Sequence, residues 1–204
     1  MSAILVTTPA NRVIPLDEIV RLNVDQYRAM ETAGILTEED RVELLDGYLV
    51  QKTTLNPPHI LVTTLLFQAL VRMVPSDWFV NSQIAIDLTT SAPEPDVLVL
   101  RGQPRDYAAR LAGPADIGLL VEVADSSIDR DQNVKSPIYA AAGIEVYWIV
   151  NIQSRWVEVY TQPTVTGAVA QFTQSRIFGE TEQVPVVLDG VEVGRIPVVD
   201  ILPA

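Results

Sequence analysis

Hydrophobic positions recur along this chain in two rhythms, and the switches between them outline its elements. From Val24 to Ala33, Val24, Tyr27 and Met30 share one helical face and Gly34 supplies a stop, which predicts a short helix. Arg41 to Lys52 alternates around Asp46-Gly47, a dipeptide tolerant of positive φ, and predicts a hairpin of two antiparallel strands. Pro57-Pro58 then opens a longer helix from His59 to Met73, with Ile60, Leu61, Thr64, Leu65, Leu70, Val71 and the following Val74 forming a broad apolar face. Phe79 to Leu88, Asp96 to Leu100 and Ile117 to Val123 are β-branched and leucine-rich runs separated by proline-bearing or polar loops, and they predict three successive strands. Asp131 to Ala142 is helix-biased and followed by Gly143, with Pro137 predicting a kink. Glu145 to Asn151 and Arg155 to Tyr160 read as strands, and weaker β-patterned pieces run from Ala168 to Ile201. The central order is helix, three strands, helix, strand: a mixed α/β (α+β) arrangement. The chain reads as one domain, with an extended arm over residues 1–20, a core with its N-terminal helix and hairpin over 22–160, and a C-terminal β elaboration over 161–204.

Composition narrows the chemistry. With 26 acidic and 14 basic side chains the formal charge is −12, which argues against tight unspecific binding to nucleic acid yet leaves room for a local basic face. Cysteine is absent, so disulfides, zinc-thiolate sites and thiol nucleophiles are excluded, and the single histidine, His59, rules out any site built on two imidazoles. No apolar run approaches the roughly 18 residues of a membrane span, and Met1 to Pro15 lacks a signal-peptide pattern, so a cytoplasmic protein without membrane contact is expected. No phosphate-binding glycine loop, nucleophile elbow or dinucleotide fingerprint occurs.

Glu122 is the most informative residue, because Ile117-Gly-Leu-Leu-Val-Glu-Val123 places a carboxylate inside a strand apolar on both faces. Buried unpaired it would cost several kcal/mol, so a proton, a basic partner or a metal ion must neutralise it. The plainer alternative is a wet strand-end acid capping the Ser126-Ser127 turn. Asp96 opens its strand after Pro93-Glu94-Pro95 and shares a face with Leu98 and Leu100; alone it reads as a turn acid. Two carboxylates on adjacent strands, without cysteine or a second histidine, suit a hard cation such as magnesium or manganese. Lysine is scarce, only Lys52 and Lys135, and Lys135 could stabilise charge developing on a phosphate or form a surface pair with Asp131 four residues before it. Glu43 reads as a hairpin residue on a solvated face, and His59 as a helix-start residue able to meet phosphate or the chain end. Tyr147-Trp148 reads as core packing rather than a base-stacking platform.

Taken together, Leu120-Val-Glu-Val-Ala-Asp-Ser-Ser-Ile128, Asp131, Lys135, Tyr139-Ala-Ala-Ala-Gly143-Ile and Tyr147-Trp-Ile-Val-Asn151 resemble the Uma family of restriction-endonuclease-like proteins, and Pro93-Glu-Pro-Asp-Val97 and Arg41-Val-Glu-Leu-Leu-Asp-Gly47 extend the likeness. That family looks like a branch of the PD-(D/E)XK nuclease superfamily. The resemblance implies a restriction-endonuclease-like core and a magnesium- or manganese-dependent endonuclease acting on DNA. It implies that Asp96 and Glu122, joined by Glu43, hold the metal, and that Lys135 assists attack by water. The superfamily's lysine normally stands two residues after the second acid, where this chain has Ala124, so the role passes to Lys135 on the next helix. An arginine rim including Arg101, Arg105, Arg110 and Arg130 and a homodimer are further expectations. The rival is a non-catalytic binding or dimerisation module that keeps the scaffold; an enzyme requires Asp96, Glu122 and Lys135 in one open pocket.

Overall fold

A computed structural model describes residues 18–204 throughout and, before them, only strands β1 (Leu5–Thr7) and β2 (Val13–Pro15), which pair antiparallel. The rest of the predicted N-terminal arm lies outside the described residues.

Helix α1 (Val24–Thr32) starts where the Asn23 side chain accepts from the Gln26 amide and Gln26 returns the bond, a reciprocal cap that satisfies two orphan donors. The hairpin of β3 (Val42–Leu45) and β4 (Tyr48–Gln51) turns through Asp46 at φ 47° and Gly47 at φ 82°, the left-handed pair a two-residue turn demands. Helix α2 (Pro57–Val71) is capped by Asn56 and begins with prolines at positions whose amides would be unbonded in any case.

Six strands form the main sheet: β5 (Trp78–Ser82), β6 (Val97–Arg101), β7 (Ile117–Ala124), β8 (Val146–Asn151), β9 (Trp156–Thr166) and β10 (Val169–Gly179), in the spatial order β10-β9-β8-β7-β6-β5. All neighbours are antiparallel except β7 and β8, whose parallel pairing follows from a helical crossover between them. That crossover is a short helix α3 (Ile128–Arg130), a π turn over Asp131–Lys135, and helix α4 (Ser136–Ala141). A separate hairpin, β11 (Gln183–Leu188) and β12 (Val191–Pro197), follows the sheet.

The near-continuous apolar run of β7 is explained by burial on both sides. Leu119, Val121 and Val123 pack with Val62, Leu66 and Leu70 of α2 and with Val184, Val186 and Leu188 of β11, whereas Leu120 and Ala124 pack with Tyr139 of α4 and Tyr147 and Ile149 of β8. Each such side chain contributes about 1.5–3 kcal/mol. Gly118 lets the Trp78 ring lie directly on this strand: a Cβ there would stand 2.7 Å from Trp78 Cη2 and 3.0 Å from Leu188 Cδ2. Gly118→Ala is therefore expected to lower stability by about 1–3 kcal/mol through overpacking, read as a shift in the urea midpoint; an unchanged midpoint would contradict this packing.

Three local expectations differ from the structure. The run Phe79 to Leu88 is a strand only as far as Ser82, because Gln83 adopts φ 51° and turns the chain, leaving Ile86 in a single bridge to Ala112. Helix α2 buries His59, Val62, Thr63, Leu66 and Leu70, so Ile60, Leu61 and Val71 face outward; a helix apolar nearly all round gives its sequence no clear inner face. Pro137 produces a π turn before it rather than a simple kink, and the helix begins at Ile128, because the widened turn takes up the position where the ring would meet the carbonyl of Asn133.

Candidate active site

Sheet register builds the centre of the site. Val97 pairs with Val121, so Asp96 and Glu122 stand one step further along their strands, across from each other, on the face that also carries Leu98 and Leu120. Both are buried, with 8% and 4% of their surface exposed. Asp96 Oδ2 accepts from the Val123 amide at 2.7 Å and lies 3.2 Å from His59 Nε2, which α2 delivers from its first turn.

The crossover helix supplies the opposing wall. Asp131, Lys135 and Tyr139 follow one another at intervals of four and all turn inward. Lys135 Nζ donates to Glu122 Oε1 at 2.9 Å and stands 3.5 Å from Glu43 Oε1, and Tyr139 Oη donates to the same Glu122 oxygen at 2.6 Å. Asp131 accepts from Ser127 Oγ at 2.6 Å. Glu43 comes from β3 and is 3% exposed, anchored weakly by the Glu94 amide at 3.4 Å. Glu43, Asp96, Glu122, Asp131, His59 and Lys135 thus line one cavity of about 260 Å³.

Several simpler readings of these residues fall away. Glu122 does not cap the Ser126-Ser127 turn; Ser127 serves Asp131 instead. Lys135 is buried rather than a surface partner of Asp131, and Glu43 is buried rather than solvated, because its face of the hairpin lies against the crossover helix, with Lys135 Nζ 3.5 Å away, while Leu44 on the other face packs with Tyr27 and Ala92. His59, Asp131 and Tyr139 complete the cluster. The sequence signal for Asp131 and Tyr139 was their four-residue spacing from Lys135, which places a charge pair and an aromatic hydroxyl on one helical face, whereas His59 carried no signal beyond its place at a helix start.

Four buried carboxylates face one ammonium and one imidazole, and this imbalance governs the electrostatics. Burial raises the Glu122 pKa well above the ordinary carboxylate range, Lys135 opposes the rise, and the fields of Asp131, Asp96 and Glu43 add to it. Asp131 is raised mainly by burial. For Lys135 burial disfavours the charge, but Glu122, Glu43 and Asp131 outweigh it and hold the ammonium protonated above its usual range. His59 behaves likewise: desolvation opposes its charge, and the hydrogen bond and field of Asp96 prevail and raise its pKa.

Excess negative charge on oxygen donors, with no sulfur, fits a hard divalent cation, and Asp96, Glu122 and Glu43 are the residues able to hold one. In the rotamers present, no three acidic or imidazole groups among the described residues stand close enough to coordinate an ion, since Lys135 and His59 occupy the carboxylates. The fit therefore rests on donor chemistry and charge. It carries a stability consequence. Folded Glu122, Asp131 and His59 bind protons more tightly than they do unfolded, so in chelator-containing buffer stability should fall as pH rises from about 5 to 8. Acids with lowered pKa, such as Asp116 beside Arg110, act below that window. Urea denaturation across the range checks the sign; stability rising with pH would contradict it.

A cationic edge flanks the acids. Arg41 and Lys52 line the cavity, Arg41 Nη2 donates to the Thr53 carbonyl at 3.0 Å, Lys52 pairs with Glu94, and Arg130 Nη1 donates to the Gln51 carbonyl at 2.7 Å. Both lysines of the chain thus belong to this cavity. Of the expected arginine rim only Arg130 lies beside it. Arg101 pairs with Asp189 and covers the Trp78 ring, and Arg110 pairs with Asp116 and covers Tyr107. Arg101 ends the strand that Asp96 begins, five residues and about 17 Å away at 3.4 Å per residue, and neither Arg105 nor Arg110 lines the cavity.

Among the described residues, no helix is long and apolar enough to cross a membrane. No curated protein matches the chain. A crystal structure from Anabaena variabilis, described as a putative nuclease belonging to DUF820, superimposes with a TM-score of 0.65 at 14% identity, covering 88% of this chain and 97% of that one. The likeness shows a shared fold, and the core is the restriction-endonuclease-like arrangement of helix, three strands, helix and strand. The family model Uma2, described as "Putative restriction endonuclease", matches residues 24–198, most of the chain, and the chain belongs to that family.

Proposed function

We propose that this protein is a divalent-cation-dependent endonuclease that hydrolyses phosphodiester bonds in DNA. The observation carrying the reading is the meeting of Asp96, Glu122, Glu43 and the buried Lys135 in one open cavity edged by Arg41, Lys52 and Arg130. Asp96, Glu122 and Glu43 would hold magnesium or manganese. When bound, such a cation polarises a phosphoryl oxygen and lowers the pKa of its water.

The remaining work belongs to the chain itself. Lys135 keeps its proton at neutral pH, so its part is to donate to a phosphate oxygen or to orient the attacking water, not to abstract a proton. Tyr139 fixes one Glu122 oxygen, and His59 with the Val123 amide fixes one Asp96 oxygen, so that the other oxygens of both acids are presented in a set direction. The cationic edge offsets the repulsion between an acidic protein and a polyanion. A homodimer would bring two such sites to opposite strands.

The test is nicking of supercoiled plasmid with manganese, by wild type and by Asp96→Asn purified identically. Cleavage by the wild type alone, abolished by chelator, is the expected result. Equal cleavage by both, or by neither, would favour a binding module on the same scaffold.

A further inference from the structure

A second cavity of about 350 Å³ opens beside the acidic one, and the two share Leu55 and Gln83 in their walls. One face of α2 forms its floor: Ile60, Thr63, Thr64 and Phe67 follow at i, i+3, i+4 and i+7. None of its lining residues is charged. Ile60 is 51% exposed and Leu55 40%, so apolar surface is left open at the mouth of a strongly charged site. Gln83, at the junction, holds φ 51°, which costs a non-glycine residue about 1 kcal/mol, and its amide is tied to the carbonyls of Pro95 and Asp96. That bend is what ends β5 and leaves the exposed Gln83 carboxamide between the two cavities.

We infer that this cleft receives an unstacked nucleobase of the strand whose phosphate lies over the acids, and that the preferred substrate is therefore single-stranded or locally opened. The inference rests on the phosphodiesterase reading and adds the substrate's form to it. The cationic edge on the hairpin side suits the sugar-phosphate backbone, whereas the uncharged wall on the α2 side suits what a nucleotide carries opposite its phosphate: a flat, weakly polar ring with hydrogen-bonding edges. Phe67, Ile60 and Leu55 offer contact to the ring, Gln83 offers donors and an acceptor to its edge, and Thr64, whose hydroxyl donates to the Ile60 carbonyl, offers an acceptor. A duplex keeps its bases stacked inside and cannot fill such a cleft without opening.

Binding tests this separately from hydrolysis. In the Asp96→Asn background, fluorescence anisotropy would compare a labelled oligothymidylate of about 12 nucleotides, a fully abasic oligomer of equal length and charge, and the thymidylate paired with its complement. Tighter binding of the thymidylate than of the abasic strand, by about tenfold or more, and weaker binding of the duplex are expected. Ile60→Ser, at an exposed position, and Phe67→Ala should each weaken the thymidylate toward the abasic value and leave the abasic strand unchanged. Equal affinity for thymidylate and abasic strand, preference for the duplex, no binding, or variants that weaken both strands alike would overturn the base subsite. Failure of the phosphodiesterase reading appears elsewhere, in the plasmid assay.

Discussion

Lys135→Met is expected to destabilise the protein by about 3–5 kcal/mol in chelator-containing buffer at neutral pH, the largest single effect foreseen outside the hydrophobic core. The ammonium is the nearest counter-charge to Glu122 and Glu43, 2.9 and 3.5 Å away, and methionine fills its volume while leaving those acids buried and unpaired. The loss should shrink on acidification, because Glu122 then takes up a proton, and should shrink again when manganese is added at constant pH. Cleavage should fall about 100- to 1000-fold even with the metal bound, since a donor aimed at the reacting phosphate is gone. Urea midpoints with and without manganese, together with single-turnover rates, separate the two losses. A variant as stable as the parent in chelator would show that the buried pair carries no such weight.

Asp96→Asn should behave in the opposite sense. One of four crowded negative charges is removed, the asparagine carbonyl can still accept from the Val123 amide, and His59, no longer held protonated by a carboxylate, goes neutral in its buried place instead of being left as an unpaired charge. Metal-free stability should hold or rise, and manganese-dependent cleavage should fall by about a thousandfold or more, because a neutral amide binds a hard cation poorly. Loss of function with retained or improved stability marks a residue kept for chemistry rather than for folding. A large drop in stability with residual cleavage unchanged would assign Asp96 a structural part instead.

Most of the scaffold was legible in the sequence because its signals were local. Asp46-Gly47 carries its own turn, Pro57-Pro58 its own helix start, and the run Ile117 to Val123 its burial on both faces. The site was legible where a polar residue interrupted such a run: Glu122 inside β7 had to be neutralised by something, and Lys135 and Tyr139 are what neutralise and hold it. What stayed hidden depended on distant contacts. His59 looked like a helix-start residue until register brought Asp96 beneath it, and Glu43 looked solvated because nothing near it in sequence shows that the hairpin folds over the crossover helix. Of the four rim arginines, Arg101, Arg105 and Arg110 were misplaced, Arg101 against a signal that the sequence did carry. Arg101 closes the strand that Asp96 opens, so its distance from the acids was legible in the spacing alone, whereas nothing near Arg41 in sequence marks it as lining the cavity. The end of β5 at Ser82 was invisible because glutamine gives no sign of a left-handed backbone.

The most direct test of the central claim is anomalous diffraction from a crystal of the protein soaked in manganese. One strong peak is expected within bonding distance of Asp96 and Glu122 carboxylate oxygens, with Glu43 contributing and Lys135 displaced from Glu122 by the incoming charge. A peak elsewhere, or none at saturating manganese with the Lys135–Glu122 pair intact, would contradict the assignment of this cavity as a metal-dependent hydrolytic site.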